Sequence, residues 1–131
     1  MIKQRSGVIL FITAVLSKGF PNATAIGSAF GAMESLLRCL AFDLGPAGVR
    51  VVGIRSGAMV DTGTIQQSVA IAAERMSIST EEVVAGIEQS TLLKRLPTAA
   101  NTARLAAFLA SDGANFLTGA IVNASSGSVM D

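Results

Sequence analysis

The 131-residue sequence contains no histidine, no tyrosine and no tryptophan, and six phenylalanines are its only aromatic residues. Without His, the commonest general base near neutral pH and every His-containing metal site are excluded. Ser-His-Asp and Cys-His nucleophilic catalysis are excluded within one chain for the same reason. No GxGxxG or GxxxxGK[ST] stretch occurs, so neither common Gly-rich phosphate cradle is present. Charge is scarce and balanced, ten Lys and Arg against nine Asp and Glu, with no basic stripe to attract nucleic acid. The single cysteine, Cys39, leaves no internal disulfide and suits a reducing compartment. Among Leu36, Leu37 and Leu40 it reads as a small buried apolar residue rather than a reactive thiol. Any chemistry must come from carboxylates, amines, hydroxyls or another chain.

What the chain has in quantity is apolar sequence, half of its residues, in a length suited to one domain over residues 1–131. Thr24–Leu44 reads as a long helix with only three charges, Glu34, Arg38 and Asp43, so nearly its whole circumference is expected to leave water. Asn22 or Thr24 is a candidate cap. Gly27, Gly31 and Ser35 form a smooth strip suited to a second helix backbone. Ile26, Phe30, Met33, Leu37, Leu40 and Leu44 form a bulky stripe beside it. The same small-residue spacing occurs in membrane helix pairs, but Glu34 and Arg38 argue against a membrane span. Gly45-Pro46-Ala47-Gly48 stops the helix, and Val49–Ile54 follows as a strand covered on both faces.

Upstream, Lys3 and Arg5 precede the apolar run Gly7–Leu16, and Ala23-Thr24-Ala25 fits a signal-peptidase site. Cleavage there would cut into the long helix, so the favoured reading is a buried strand over Val8–Thr13 and a loop through Ser17–Asn22. The run is much shorter than the ~20 residues a membrane span needs. The expected location is cytoplasmic.

Downstream of the second strand, Arg55–Thr62 is a loop at the carboxyl end, where ligands bind in open parallel sheets. Gly63–Ile78 reads as irregular or partly helical. Ser79-Thr80-Glu81-Glu82 begins a helix reaching about Gln89, with acids complementing its N-terminus. Glu81 and Glu82 point about 100° apart on that helix and make a poor acid/base pair. Lys94-Arg95, in the linker Leu92–Pro97, reads as a solvated basic pair. Thr98 caps a helix over Ala99–Ser111, with Ala103, Leu105, Ala106, Phe108 and Leu109 expected to be largely buried. Gly119–Ala124 is a third strand, ending in a turn at Ser125–Gly127. This order predicts an α/β fold: three parallel strands with flanking helices and right-handed crossovers. No metal site is expected.

The segments GVILFITAV, AFDLGPAGVRVVGIRSGAMVDT and LLKRLPTAANTARLAAFLASDGANFLTGAIVNASSG, with the helix between the first two, resemble the C-terminal half of a short-chain dehydrogenase/reductase. They cover most of residues 7–127 in that family's order, with Gly63–Gln89 the weak region. The resemblance implies a partial Rossmann-like fold, with the N-terminal half of the doubly wound sheet and its dinucleotide fingerprint missing. It also implies an NAD(P)-dependent oxidoreductase ancestry, though cofactor binding by these residues alone is not expected. The family carries a Tyr and a Lys four residues apart at the start of the central helix. Aligned through AMESLLRCLAFDLGPAGVRV, these fall on Ile26 and Phe30, neither of which titrates. The family's Ser falls on Thr13, or on Ala14 if the loop is one residue shorter. No catalytic residue is therefore assigned.

The family's Pro-Gly after the strand is Ser56-Gly57 here, and its nicotinamide-touching Thr corresponds best to Thr62, with Asp61 one register away. Ser56, Gly57, Met59 and Thr62 are the expected remnants of a cofactor pocket. The family's usual pairing implies a homo-oligomer through helix 24–44 and the C-terminal helix and strand, with neither nucleic acid nor membrane as partner. The expectation is a dehydrogenase-like protein inactive as an isolated chain, with a non-enzymatic oligomerising or binding module as the alternative.

Overall fold

The computed structural model describes all 131 residues. Its strands are β1 (Gly7–Ala14), β2 (Val49–Ser56) and β3 (Ile121–Ala124), and its helices are α1 (Thr24–Leu44), α2 (Gly63–Met76), α3 (Thr80–Ser90) and α4 (Ala99–Ala110). The strands form one parallel sheet in the order β1-β2-β3. β1 pairs with β2 along its whole length, from Gly7 opposite Val49 to Ala14 opposite Ser56. β3 covers only the last half of β2, from Gly53 opposite Ile121 to Ser56 opposite Ala124. The expected fold class is the one observed.

Alternation along β2 sends its side chains to two different helices. Val52 and Ile54 form a core with Leu109 of α4 and Ala114. On the opposite face α1 closes over the strand, and Gly53 makes that closure possible. A Cβ at Gly53 would stand 2.7 Å from Leu37 Cδ1, closer than two carbons approach. Leu37 is fully buried. Arg50 ties the α4 side together: its guanidinium donates to the carbonyls of Leu109 and Ser111, at 2.9 and 3.1 Å, at the C-terminal end of α4. Cations are favoured there because the last carbonyls of a helix lack intrahelical partners.

Several sequence expectations change. β2 continues two residues beyond Ile54, which moves Arg55 and Ser56 from the loop into the strand. Gly63–Met76 is a regular helix, because Val69 and Ala73 bury against its surroundings and tertiary packing outweighs weak local propensity. β3 begins at Ile121 rather than Gly119, whose positive φ of 69° turns the chain before the ladder starts. Neither Asn22 nor Thr24 caps α1. The cap position is Ala23, and Asn22 takes a left-handed conformation one residue earlier.

On α4, Leu109 is buried, but Ala103 is exposed and Phe108 is half exposed. Cys39 is exposed rather than buried. Gly27 of the smooth strip meets its own chain, since a Cβ there would lie 2.7 Å from the carbonyl oxygen of Leu16, whereas Gly31 is open.

α1 is long and apolar enough by length and composition to cross a membrane. It lies against the sheet instead, with Glu34 paired to a strand arginine. Only Glu34 and Leu37 of its residues are buried there, so most of its apolar surface stays open.

Candidate functional site

The carboxyl ends of β1 and β2 carry the densest group of polar side chains in the interior. Thr13 ends β1's buried face, Ser17 lies in the short turn after it, Glu34 projects from the middle of α1, and Arg55 projects from β2. Glu34 and Leu37 lie one helical turn apart, and Arg55 and Gly53 lie two strand residues apart. The helix–strand line that packs Leu37 on Gly53 therefore also sets Glu34 opposite Arg55. The Arg55 guanidinium donates two bonds to the Glu34 carboxylate, Nε to Oε1 at 2.8 Å and Nη2 to Oε2 at 2.9 Å. This is the two-pronged geometry in which charge-assisted bonds are strongest. Thr13 and Ser17 hydroxyls also donate to Glu34 Oε1, at 3.0 and 2.7 Å.

Both charges are nearly removed from water, Glu34 at 6% exposed and Arg55 at 3%. Arg55 and the hydroxyls hold the Glu34 carboxyl down to about 2, against the opposing effect of burial. Hydrogen bonding to Glu34 raises the Arg55 pKa above its ordinary value. The remaining Nη1 of Arg55 donates to the Asp131 carboxylate, which also pairs with Lys18 at 3.2 Å. Four side chains thus balance two positive charges against two negative ones.

Thr13 therefore has no hydroxyl proton to offer a ligand. It is buried, and its proton is committed to Glu34. Ile26 lies in the first turn of α1 and is half exposed, with Phe30 a turn further on and partly covered. Neither can take or give a proton, whatever approaches them.

The loop after β2 gathers Ser56, Gly57, Met59 and Thr62 into one short stretch, but most of its polar atoms bond inward. Ser56 Oγ donates to the Gly57 carbonyl at 3.0 Å. Gly57 allows the segment after β3 to come close: a Cβ would lie 3.2 Å from Ser125 Cα and from its carbonyl oxygen. Thr62 Oγ1 donates to the Met59 carbonyl at 2.7 Å, and Met59 Sδ accepts from Thr102 on α4 at 3.2 Å. Asp61 has a different task. Both of its carboxylate oxygens accept the Ala99 N–H at 3.0 Å, placing an anion at the N-terminus of α4. The loop is thus pinned to α4 at Asp61 and at Met59.

Sequence reasoning missed the Glu34–Arg55 pair. A signal for it existed: a lone Glu in an apolar helix and a lone Arg at the end of a β-branched run. Each was a charge set among apolar residues expected to be buried, where burial requires a partner.

A family model described as "Enoyl-(Acyl carrier protein) reductase" matches residues 1–128. The chain belongs to the short-chain dehydrogenase/reductase family. Escherichia coli (strain K12) 7alpha-hydroxysteroid dehydrogenase is 33% identical over 132 residues, covering 100% of this chain and 48% of that protein. The Synechocystis enoyl-[acyl-carrier-protein] reductase [NADH] is 36% identical over 110 residues, 84% of this chain and 39% of that one. Among solved structures, sorbitol-6-phosphate 2-dehydrogenase from Erwinia amylovora superposes with a TM-score of 0.92 at 28% identity, over 100% of this chain and 52% of the other. A 7alpha-hydroxysteroid dehydrogenase solved with NADH and 7-oxo glycochenodeoxycholic acid gives a TM-score of 0.83 at 33% identity. This short-chain dehydrogenase/reductase chain spans about half the length of the relatives it matches. Its sheet and helices are a portion of their Rossmann fold.

Proposed function

We propose that these 131 residues form a dehydrogenase-derived scaffold that does not itself reduce carbonyls. The observation that carries this reading is the state of the three positions where the family resemblance places Ser, Tyr and Lys. Thr13 gives its proton to a buried carboxylate, and Ile26 and Phe30 have no titratable group. Carbonyl reduction needs a proton delivered to the developing alkoxide, and no side chain at these positions supplies one.

A nicotinamide is the cofactor the family implies, and it fits these residues only in part. Ser56, Gly57, Met59 and Thr62 offer a loop at the carboxyl end of β2 where the nicotinamide end of such a molecule would rest. When bound, the group would supply hydride. The chain's own contribution is limited to backbone contact there, because the Ser56 and Thr62 hydroxyl protons are engaged within the loop. No Gly-rich turn in the sequence meets the pyrophosphate. Titration of NADH and NADPH, followed by nicotinamide fluorescence, is expected to show no saturation at micromolar protein. Saturable binding at that level would overturn the reading.

The exposed apolar face of α1 favours assembly as the role that remains. Ile26 and Leu36 are half exposed and Phe42 is 84% exposed, an unusual surface for a water-facing helix. The proposed partner is a second copy of the chain, joined through α1 and through α4 with β3, in the cytoplasm. Light scattering at micromolar concentration tests this. A folded monomer would count against it.

A further inference from the structure

Beyond β3 the chain turns back across the carboxyl ends of the strands. Ser126 and Gly127 take left-handed conformations. Asn123 on β3 then donates from Nδ2 to the Val129 carbonyl at 2.8 Å. The Asp131 carboxylate reaches Arg55 on β2 and Lys18 after β1. Residues 128–131 therefore form a strap running from β3 toward β1, tied down at its tip by charge. Elsewhere it is lightly held. No backbone–backbone hydrogen bond involves Val129, Met130 or Asp131. Met130 is largely exposed, and the Ser128 hydroxyl is buried without a hydrogen-bond partner. That unpaired hydroxyl opposes closure, because lifting the strap returns it to water.

The position under the tip is built independently of the strap. Arg55 is almost fully buried, and its Nε and Nη2 are fixed on Glu34. Nη1 is the one guanidinium nitrogen left over, and it donates to Asp131 Oδ1. Lys18 Nζ stands 3.2 Å from the same oxygen. Two cations from separate segments thus converge on one carboxylate oxygen. Glu34 balances only one of them. Lifting Asp131 would leave one net positive charge and a nearly buried N–H donor without an acceptor, which is costly. A singly charged oxyanion restores the balance, and a neutral molecule does not. The polar contacts at this position involve no residue of the 56–62 loop. We propose that the Lys18–Arg55 position is a binding site for a small monocarboxylate, with Asp131 as an internal occupant that yields to it. The tether raises the effective concentration of Asp131, so the external acid must be abundant to displace it.

The test is an acetate titration of the isotope-labelled chain followed by NMR. It reads the Arg55 Nε–H signal and the amides of Val129 and Met130, with chloride at matched ionic strength controlling for screening. In Asp131→Ala, where the internal competitor is gone, acetate should saturate on the order of 10 mM. Adding Lys18→Met to that variant should weaken binding about fivefold. The unaltered chain should bind acetate about tenfold more weakly than Asp131→Ala. As it saturates, its Val129 and Met130 amides should move toward their Asp131→Ala positions. Acetate that acts no differently from chloride on Asp131→Ala would overturn the proposal, as would a Lys18→Met change without effect. So would an unaltered chain in which saturating acetate leaves Val129 and Met130 unmoved, a result readable even if the variants fold poorly. No nicotinamide is present in this experiment, so its outcome is separate from that of cofactor binding at the 56–62 loop.

Discussion

β2 and α1 pack against one another and both are largely apolar, yet they end in opposite circumstances. Every residue of β2 except Arg50 is buried. Of the 21 residues of α1, only Glu34 and Leu37 are, and one of those is an acid. A strand at the centre of a sheet has neighbours on both edges and helices on both faces, so its apolar side chains are fully used. A helix laid on one face of three strands covers them with a single line of contact. Apolar composition thus corresponds to burial in β2 and to unused surface in α1. The most consequential contact of the helix is an ion pair.

The sharpest way to break that contact is Glu34→Ala. It leaves the Arg55 guanidinium nearly buried, with Asp131, itself half exposed, as its remaining acid. Removing one partner of a buried pair costs roughly 3–5 kcal/mol. Urea unfolding should show a loss of this size, large against the stability of an ordinary small domain. The double variant Glu34→Leu with Arg55→Met removes both charges together and should recover most of it. If the double variant is as unstable as the single one, the Thr13 and Ser17 hydroxyls, left without their acceptor, are the larger cost.

Acid sharpens the same comparison without mutation. Glu34 is held down to about 2 in the folded chain, against an ordinary 4.5. A carboxyl depressed by folding stabilises the native state fully above its unfolded pKa and loses that contribution as pH falls through the folded value. Unfolding free energy measured from pH 5 downward should therefore fall steadily as pH approaches 2. Asp131 shifts in the same direction but is far more exposed and adds less. Glu34→Gln, which has already lost the pair, should be markedly flatter over this window. A parallel slope in the variant would assign the acid sensitivity to other carboxyls.

How much of this was readable beforehand follows from which interactions are local. Thr24–Leu44 appears with the expected limits, because periodicity and the Gly-Pro stop at residues 45–46 are encoded within the segment. Thr98 forms the expected cap and Ser79 caps α3 at the expected helix entry, each completed by a residue three positions later. The Glu34–Arg55 pair joins residues 21 apart and depends on Gly53 admitting Leu37, which no local pattern encodes. Cys39 misled for a related reason. Its leucine neighbours gave an apolar context, but only the face bearing Glu34 and Leu37 meets the sheet. At the candidate site, Ser56, Gly57, Met59 and Thr62 were singled out by the family resemblance, and their nearness to one another follows from chain order alone. The inward direction of the Ser56 and Thr62 hydroxyls was not, because it depends on how the loop folds onto itself and α4.

The smallest effect on stability is expected at Phe42→Ser, and that smallness is what makes the substitution useful. Phe42 is 84% exposed, so its removal uncovers almost nothing within the chain, and unfolding should change by no more than about 0.5 kcal/mol. Leu37→Ser, five residues earlier and fully buried, should cost several times as much, since it both opens a cavity and buries a hydroxyl. If α1 pairs with a second copy, however, Phe42→Ser removes a large aromatic from that interface and should shift sedimentation equilibrium toward monomer. Stability and association would then respond to different sides of one helix. A Phe42→Ser variant that unfolds as readily as Leu37→Ser would mean that the exposed side of α1 is not spare surface. One that leaves both stability and association untouched would place the contact between chains elsewhere than around Phe42.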